Sequence, residues 1–147
     1  MVEVQFCRLD DRAVLPQYAH LSDAGADLAC LTDFALAPGE RKLIGTGIAV
    51  AIPDGYVGLI HPRSGLAKKN GISIVNAPGT IDAGYRGEIL INLINLDSKI
   101  TFQASAGSRI AQLIIQKVEH ANFVEVSELS DSDRGNQGHG STGTAAL

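Results

Sequence analysis

The sequence has no basic excess, no cysteine pattern and no long apolar run, and each absence removes a class of function. Twelve lysines and arginines stand against sixteen aspartates and glutamates, a net charge of −4 with a pI near 5.5. A general nucleic-acid binder needs a basic face, and so does a protein drawn to an anionic membrane, so neither partner is expected. Any phosphate the chain binds must be held by local groups. No apolar run approaches the roughly 18 residues of a membrane span, and no charged-then-apolar leader opens the chain, so neither a span nor a signal peptide is expected. Cys7 and Cys30 lack Cys-x-x-Cys spacing, and the histidines do not cluster. The expected state is therefore two buried, reduced thiols in a cytoplasmic protein, not a disulfide or a zinc site. No Gly-x-x-x-x-Gly-Lys-Ser/Thr phosphate loop and no internal repeat occur.

What is present is a regular series of strand signals, about one every eight to twelve residues. They fall at Val4–Leu9, Ala26–Leu31, Phe34–Leu36, Lys42–Ile52 through a Gly-Thr-Gly interruption, Tyr56–His61, Ile72–Val75, Glu88–Leu96, Ile100–Ala104, Arg109–Val118 and Phe123–Val126. One segment, Leu66–Asn70, reads as a short helix. Without alternating long amphipathic helices a parallel α/β sheet is excluded, and the pattern predicts an all-β, antiparallel jelly-roll-like barrel or sandwich. With 147 residues the chain buries roughly 70% of its unfolded surface, enough for one core. We expect a β domain over residues 1–129 and a glycine-rich arm over 130–147. That arm has almost no large apolar side chain to offset its ordering entropy, which predicts mobility when it stands alone.

Chemistry concentrates in five places. Asn76-Ala-Pro-Gly-Thr-Ile-Asp-Ala-Gly-Tyr-Arg-Gly-Glu88 lies between two strand-like runs, which predicts a tight β-hairpin with a kinked arm. On it a carboxylate (Asp82), a ring (Tyr85) and an amide (Asn76) sit among glycines that let the backbone approach a ligand closely. An aspartate beside glycines is also an ordinary turn former. Pro62-Arg63-Ser64-Gly65 precedes the short helix; Ser64 reads as its N-cap and Asn70-Gly71 as its stop, while free N–H groups and a planar cation also suit an anion. Ser108-Arg109-Ile110-Ala111-Gln112 places a cation and an amide at the start of an apolar run, and Gln112 requires a polar partner if it is buried. Asp23 and Asp27 flank a glycine. Turn chemistry accounts for Asp23, whereas Asp27 is suited to orient the waters that magnesium retains. Arg134 to Gly143 combines glycines with an imidazole (His139) and hydroxyls (Ser141, Thr142) that suit a wrapped phosphate. Its Gly-x-Gly-x-x-Gly has no preceding strand and no following helix, so a dinucleotide fold is rejected.

Taken in order, Ala24–Leu28, Pro62–Ala67, Gly79–Glu88, Gly107–Gln112 and Arg134–Gly143 resemble the five motifs of the homotrimeric deoxyuridine triphosphatases. The resemblance implies hydrolysis of dUTP to dUMP and pyrophosphate with magnesium (Mg2+), which limits uracil incorporation into DNA and supplies dUMP for dTMP synthesis. It implies three composite sites in a homotrimer, each assembled from three subunits. In that family Asp82 would be the general base for the attacking water, a role that requires placement within about 3 Å of it. Asn76 and the backbone around Leu90 would pair with uracil, while Thr80 and Ile81 close around base and sugar. Tyr85 would lie beneath the deoxyribose and exclude a 2′-hydroxyl. Arg63, Ser64, Gly65 and Gln112 would hold the α- and β-phosphates, with Asp27 on the metal's waters. Arg134, Gly140, Ser141 and Thr142 would clamp the γ-phosphate, and His139 would cover the uracil face.

The chain departs from the family pattern at three positions. His139 stands where many members have Phe, Gln137 where a glycine is usual, and Ser108 where an Asp commonly neighbours Arg109. Two rivals remain open on the sequence. A dCTP deaminase shares the fold and the hairpin arm, but Asn92 occupies the position of its glutamate base and cannot shuttle a proton in that way. A nucleotide-sensing regulator would bind dUTP without turning it over.

Overall fold

In the computed structural model, which describes residues 2–133 and 135, the alternation along Glu88–Asn95 (β8) shows how pattern becomes architecture. Ile89, Ile91, Leu93 and Asn95 are buried, and the residues between them face outward. This is the period-two signature of a strand with one face on a core. Arg41–Ala51 (β4) and Ile72–Ile74 (β6) flank β8 antiparallel, and Gln5–Arg8 (β1) pairs with β4 to complete a four-stranded sheet. A second four-stranded sheet contains, in spatial order, Ala26–Ala29 (β2), Arg109–Lys117 (β10), Tyr56–Pro62 (β5) and Gly79–Ile81 (β7). Phe34–Leu36 (β3) and Phe102–Ala104 (β9) form a short pair of their own. Leu28, Ile60, Ile110 and Leu113 from the second sheet share one apolar cluster with Ile48, Ile72, Ile91 and Leu93 from the first. The expected antiparallel, jelly-roll-like architecture is what the chain adopts.

Four expectations are corrected. The helix, Ser64–Asn70 (α1), begins two residues before Leu66, and its cap lies one residue before the expected one: Arg63 takes the N-cap position in extended conformation with no side-chain cap bond, so Ser64 is not the cap. The Arg63 side chain reaches across to the second sheet instead, as described below. The stop at Gly71 is as expected, in the left-handed region at φ 64°. Phe123–Val126 is not a strand and its apolar side chains are exposed, because among the described residues it has no neighbour to supply ladder hydrogen bonds. Cys7 is exposed whereas Cys30 is buried, and both are free thiols. Finally, β6 and β8 do pair as hairpin arms, but the chain between them makes no tight turn.

Asn95 ends the inward row of β8 and is fully buried. Its Nδ2 donates to the carbonyls of Leu36 and Ile100, each at 2.9 Å, and its Oδ1 accepts from the Asp97 N–H at 2.9 Å. One amide thereby ties the end of β3 to the loop that follows β8. Asn95→Ala leaves those groups unpaired in the interior, and we expect a loss of about 3 kcal/mol, read as a lower urea midpoint at unchanged slope. Burial also pushes the Cys30 thiol above its usual range, and the thiol donates to the Ser105 carbonyl at 3.2 Å. In native protein a thiol reagent near neutral pH should spare Cys30, which becomes reactive only on denaturation; mass mapping of the labelled peptide checks this.

Candidate active site

After β6 the chain leaves the first sheet, adds β7 to the edge of the second beside β5, and returns to the first as β8. Gly79, Thr80 and Ile81 face Ile60, Leu59 and Gly58 in this new pairing. A Cβ at Gly79 would sit 3.4 Å from both the Asn76 amide nitrogen and Ile60 Cβ, a close but ordinary contact. The crossing opens a cavity of about 180 Å³ between the sheets. Asn76, Thr80, Ile81, Asp82, Tyr85 and Leu90 all line it, over a floor that includes Ile60, Ile74 and Ile89. The sequence-predicted hairpin residues are thus brought to one place. Asp82 is exposed and opens a turn in which the Tyr85 N–H donates to the Asp82 carbonyl at 3.0 Å. An apolar floor with a few polar groups on its rim suits a small planar ligand carrying a polar edge.

A second cavity, about 310 Å³, is lined by Arg63, Ser64, Gly65 and Gln112 together with Leu66, Lys69 and Asn70. Gln112 is not fully buried; it faces this space. The β2–β10 register places Asp27 opposite Gln112, and there Asp27 meets two arginines. Arg109 Nη1 donates to Asp27 Oδ2 at 3.1 Å, and Arg63 Nε lies 2.9 Å from Asp27 Oδ1. Arg63 Nη1 also donates to the Arg109 carbonyl at 3.1 Å. The carboxylate is 9% exposed. The Arg63–Asp27 pair has ion-pair distance without hydrogen-bond direction, so Nε and Oδ1 each lack a hydrogen-bond partner. Both atoms are enclosed and face each other at ion-pair distance, so a cation's water would reach Oδ1 only after Arg63 moves aside. Among the described residues no cluster of three or more His, Cys, Asp or Glu side chains is placed to hold a metal ion directly. Asp27 therefore suits a cation whose inner ligands come from elsewhere, such as phosphate oxygens.

No residue lines both cavities. Arg134, His139, Gly140, Ser141 and Thr142 lie outside the described residues. Sequence reasoning passed over Arg109 as a partner of Asp27, over Lys69 and Asn70 in the second cavity, and over Glu88 in the first. The cation at the head of β10 facing an acidic β2 was the available signal for Arg109.

The family model for dUTPase matches residues 11–143. The chain belongs to the dUTPase family. It is 60% identical over 142 residues to the deoxyuridine 5′-triphosphate nucleotidohydrolase of Thermobifida fusca, covering 97% of this chain and 79% of that one. To the enzyme of that name from Corynebacterium glutamicum it is 58% identical over 146 residues, covering 99% and 98%. The dUTPase of Staphylococcus bacteriophage 80alpha with dUpNHpp superposes with TM-score 0.89 at 34% identity, covering 98% of this chain and 100% of that one. A mutant dUTPase from phage phi11 of S. aureus, described with a structural Mg(II) ion, gives TM-score 0.80 at 31% identity and covers 86% and 98%. Like its relatives, this dUTPase is a hydrolase of nucleotide metabolism, a dUTP diphosphatase. No helix among the described residues is long and apolar enough to cross a membrane.

Proposed function

We propose that this dUTPase hydrolyses dUTP to dUMP and pyrophosphate by in-line attack of a water that Asp82 deprotonates. The reading is carried by the cavity that gathers Asn76, Thr80, Ile81, Asp82, Tyr85 and Leu90 on one rim and wall. The water oxygen bonds to the α-phosphorus, the bond from that phosphorus to the bridging oxygen breaks, and pyrophosphate leaves with the bond's electron pair. The water's proton passes to the Asp82 carboxylate. Asn76 and the Leu90 backbone pair with uracil and Tyr85 underlies the sugar. A hydrogen-bonding base site rejects cytosine's altered donor pattern by on the order of 10⁴, whereas lack of favourable space for thymine's methyl is worth only about 10 to 200-fold. Thymine must therefore collide with the excursion between β6 and β8.

Arg63, Ser64, Gly65 and Gln112 hold the α- and β-phosphates. Asp27 holds magnesium's waters, and its place beside Arg63, which lines the phosphate cavity, supports that role. When bound, magnesium would neutralise phosphate charge as the leaving group departs. Arg134, Gly140, Ser141 and Thr142 clamp the γ-phosphate from an arm over 130–147, and His139 covers the base. The base cavity and the phosphate cavity share no lining residue, which supports sites completed between subunits of a homotrimer, with Phe123, Val124 and Leu129 as exposed apolar surface available to a neighbour. The cellular role is to limit uracil in DNA and to supply dUMP, in the cytoplasm.

A pyrophosphate-release assay across dUTP, dCTP, dTTP and UTP tests the reading. Release from dUTP alone, at least 10³-fold above the others, is expected. Ammonia release from dCTP would establish the deaminase instead, and tight dUTP binding without turnover would establish a regulator.

A further inference from the structure

Tyr85 is held by the two residues that follow Arg86. Its hydroxyl donates to the Glu88 carbonyl at 2.9 Å, and its ring rests on the Cα of Gly87. A Cβ at position 87 would fall 2.7 Å from Tyr85 Cζ and 3.1 Å from Cε2, and nearer still to the hydroxyl oxygen. Carbon atoms pack best at about 3.5–4.0 Å, so the ring as placed and a side chain at 87 are incompatible. Gly87 is not among the positive-φ glycines, so it is required for space and not for backbone conformation. The atoms it would strike are the far end of a half-exposed side chain, which is able to swing away.

The other half of this seat is anchored. The Glu88 carboxylate accepts the Gly47 N–H at 2.7 Å, and a Cβ at Gly45 would lie 2.8 Å from the same oxygen. Buried Thr46 donates to the neighbouring Ile89 carbonyl at 2.8 Å. These contacts fall where the β4–β8 register shifts, between Gly45 and Ala49. Irregularities of this kind commonly re-aim a side chain beside a site.

We propose that Gly87 is a positioning residue for sugar specificity: with the anchored Glu88 carbonyl it forms a seat that sets the height of the Tyr85 ring, and so the room available to a 2′-hydroxyl. The proposal rests on the reading above that Tyr85 underlies the deoxyribose. Gly87→Ala makes the ring retreat by about 1 Å to reach ordinary contact and breaks its bond to Glu88.

The test compares kcat/KM for UTP and dUTP in the full chain with magnesium. Gly87→Ala should raise the UTP-to-dUTP ratio at least tenfold with an unchanged thermal midpoint. Gly84→Ala, whose Cβ would meet nothing within 4 Å, should leave the ratio as it is. Tyr85→Ala should raise the ratio, and adding Gly87→Ala to it should change it less than twofold, because Gly87 acts through the ring. Tyr85→Phe, which removes only the hydroxyl bond, should raise the ratio a few fold and decides the matter if Gly87→Ala does not fold. An unchanged ratio in folded Gly87→Ala, or an equal rise in Gly84→Ala, overturns the seat while Tyr85→Ala still supports the sugar reading. An unchanged ratio in Tyr85→Ala overturns the reading itself.

Discussion

Asp82→Asn should lower turnover by on the order of 10³ to 10⁴ while nucleotide affinity changes by no more than a few fold, since loss of a positioned proton acceptor removes about that much rate. The amide matches the carboxylate in shape, so the turn that closes on the Tyr85 N–H remains. It keeps an acceptor oxygen but cannot take the proton of the attacking water. Steady-state pyrophosphate release and calorimetric titration with a non-hydrolysable dUTP analogue separate the two effects. Turnover within tenfold of the native enzyme would remove Asp82 from the role of base. A matching loss of affinity would make it a binding residue. Because the exposed Asp82 side chain accepts no protein hydrogen bond among those found at the site, stability should be nearly unchanged.

Asp27→Ala should lower kcat/KM by about 10²-fold and raise the magnesium concentration needed for half-maximal activity. It removes the shared counter-charge of Arg63 and Arg109. Deleting one partner of a buried pair costs about 3–5 kcal/mol. Arg109 is largely solvated and Arg63 partly so, and solvent screening brings the stability loss here toward about 1–2 kcal/mol. The larger effect is on Arg63, whose guanidinium loses the carboxylate that turns it toward the second cavity. A fall in activity with no change in magnesium requirement would restrict Asp27 to orienting the arginines. Unchanged activity would remove it from the site altogether. Asp27→Asn should lie between, keeping the Arg109 bond and losing the charge.

Much of this was visible in one dimension. The strands from Ala26 to Lys117 fall within two residues of where alternation puts them at most ends, because alternation reports a strand with one buried face, and β8 displays it without a break. The errors have physical causes. Arg63 takes the N-cap position with its side chain engaged by Asp27 and the Arg109 carbonyl, which no helix-capping rule contains. Phe123–Val126 has strand composition, but a strand exists only when something pairs with it. Gly79–Ile81 reads as the middle of a loop, yet it is an edge strand of the opposite sheet, its place decided by the unpaired edge of β5.

The sequence by itself determined the all-β class and the five chemical motifs, since side-chain alternation and the presence of an acid, a ring or a guanidinium are properties of neighbouring residues. Only the tertiary structure decided that Asp27 faces two arginines, one of them 82 positions away, that the hairpin crosses between sheets, and that Tyr85 rests on bare Gly87. Those outcomes depend on which strand edges meet and how closely side chains then approach, quantities set by long-range hydrogen bonding and packing.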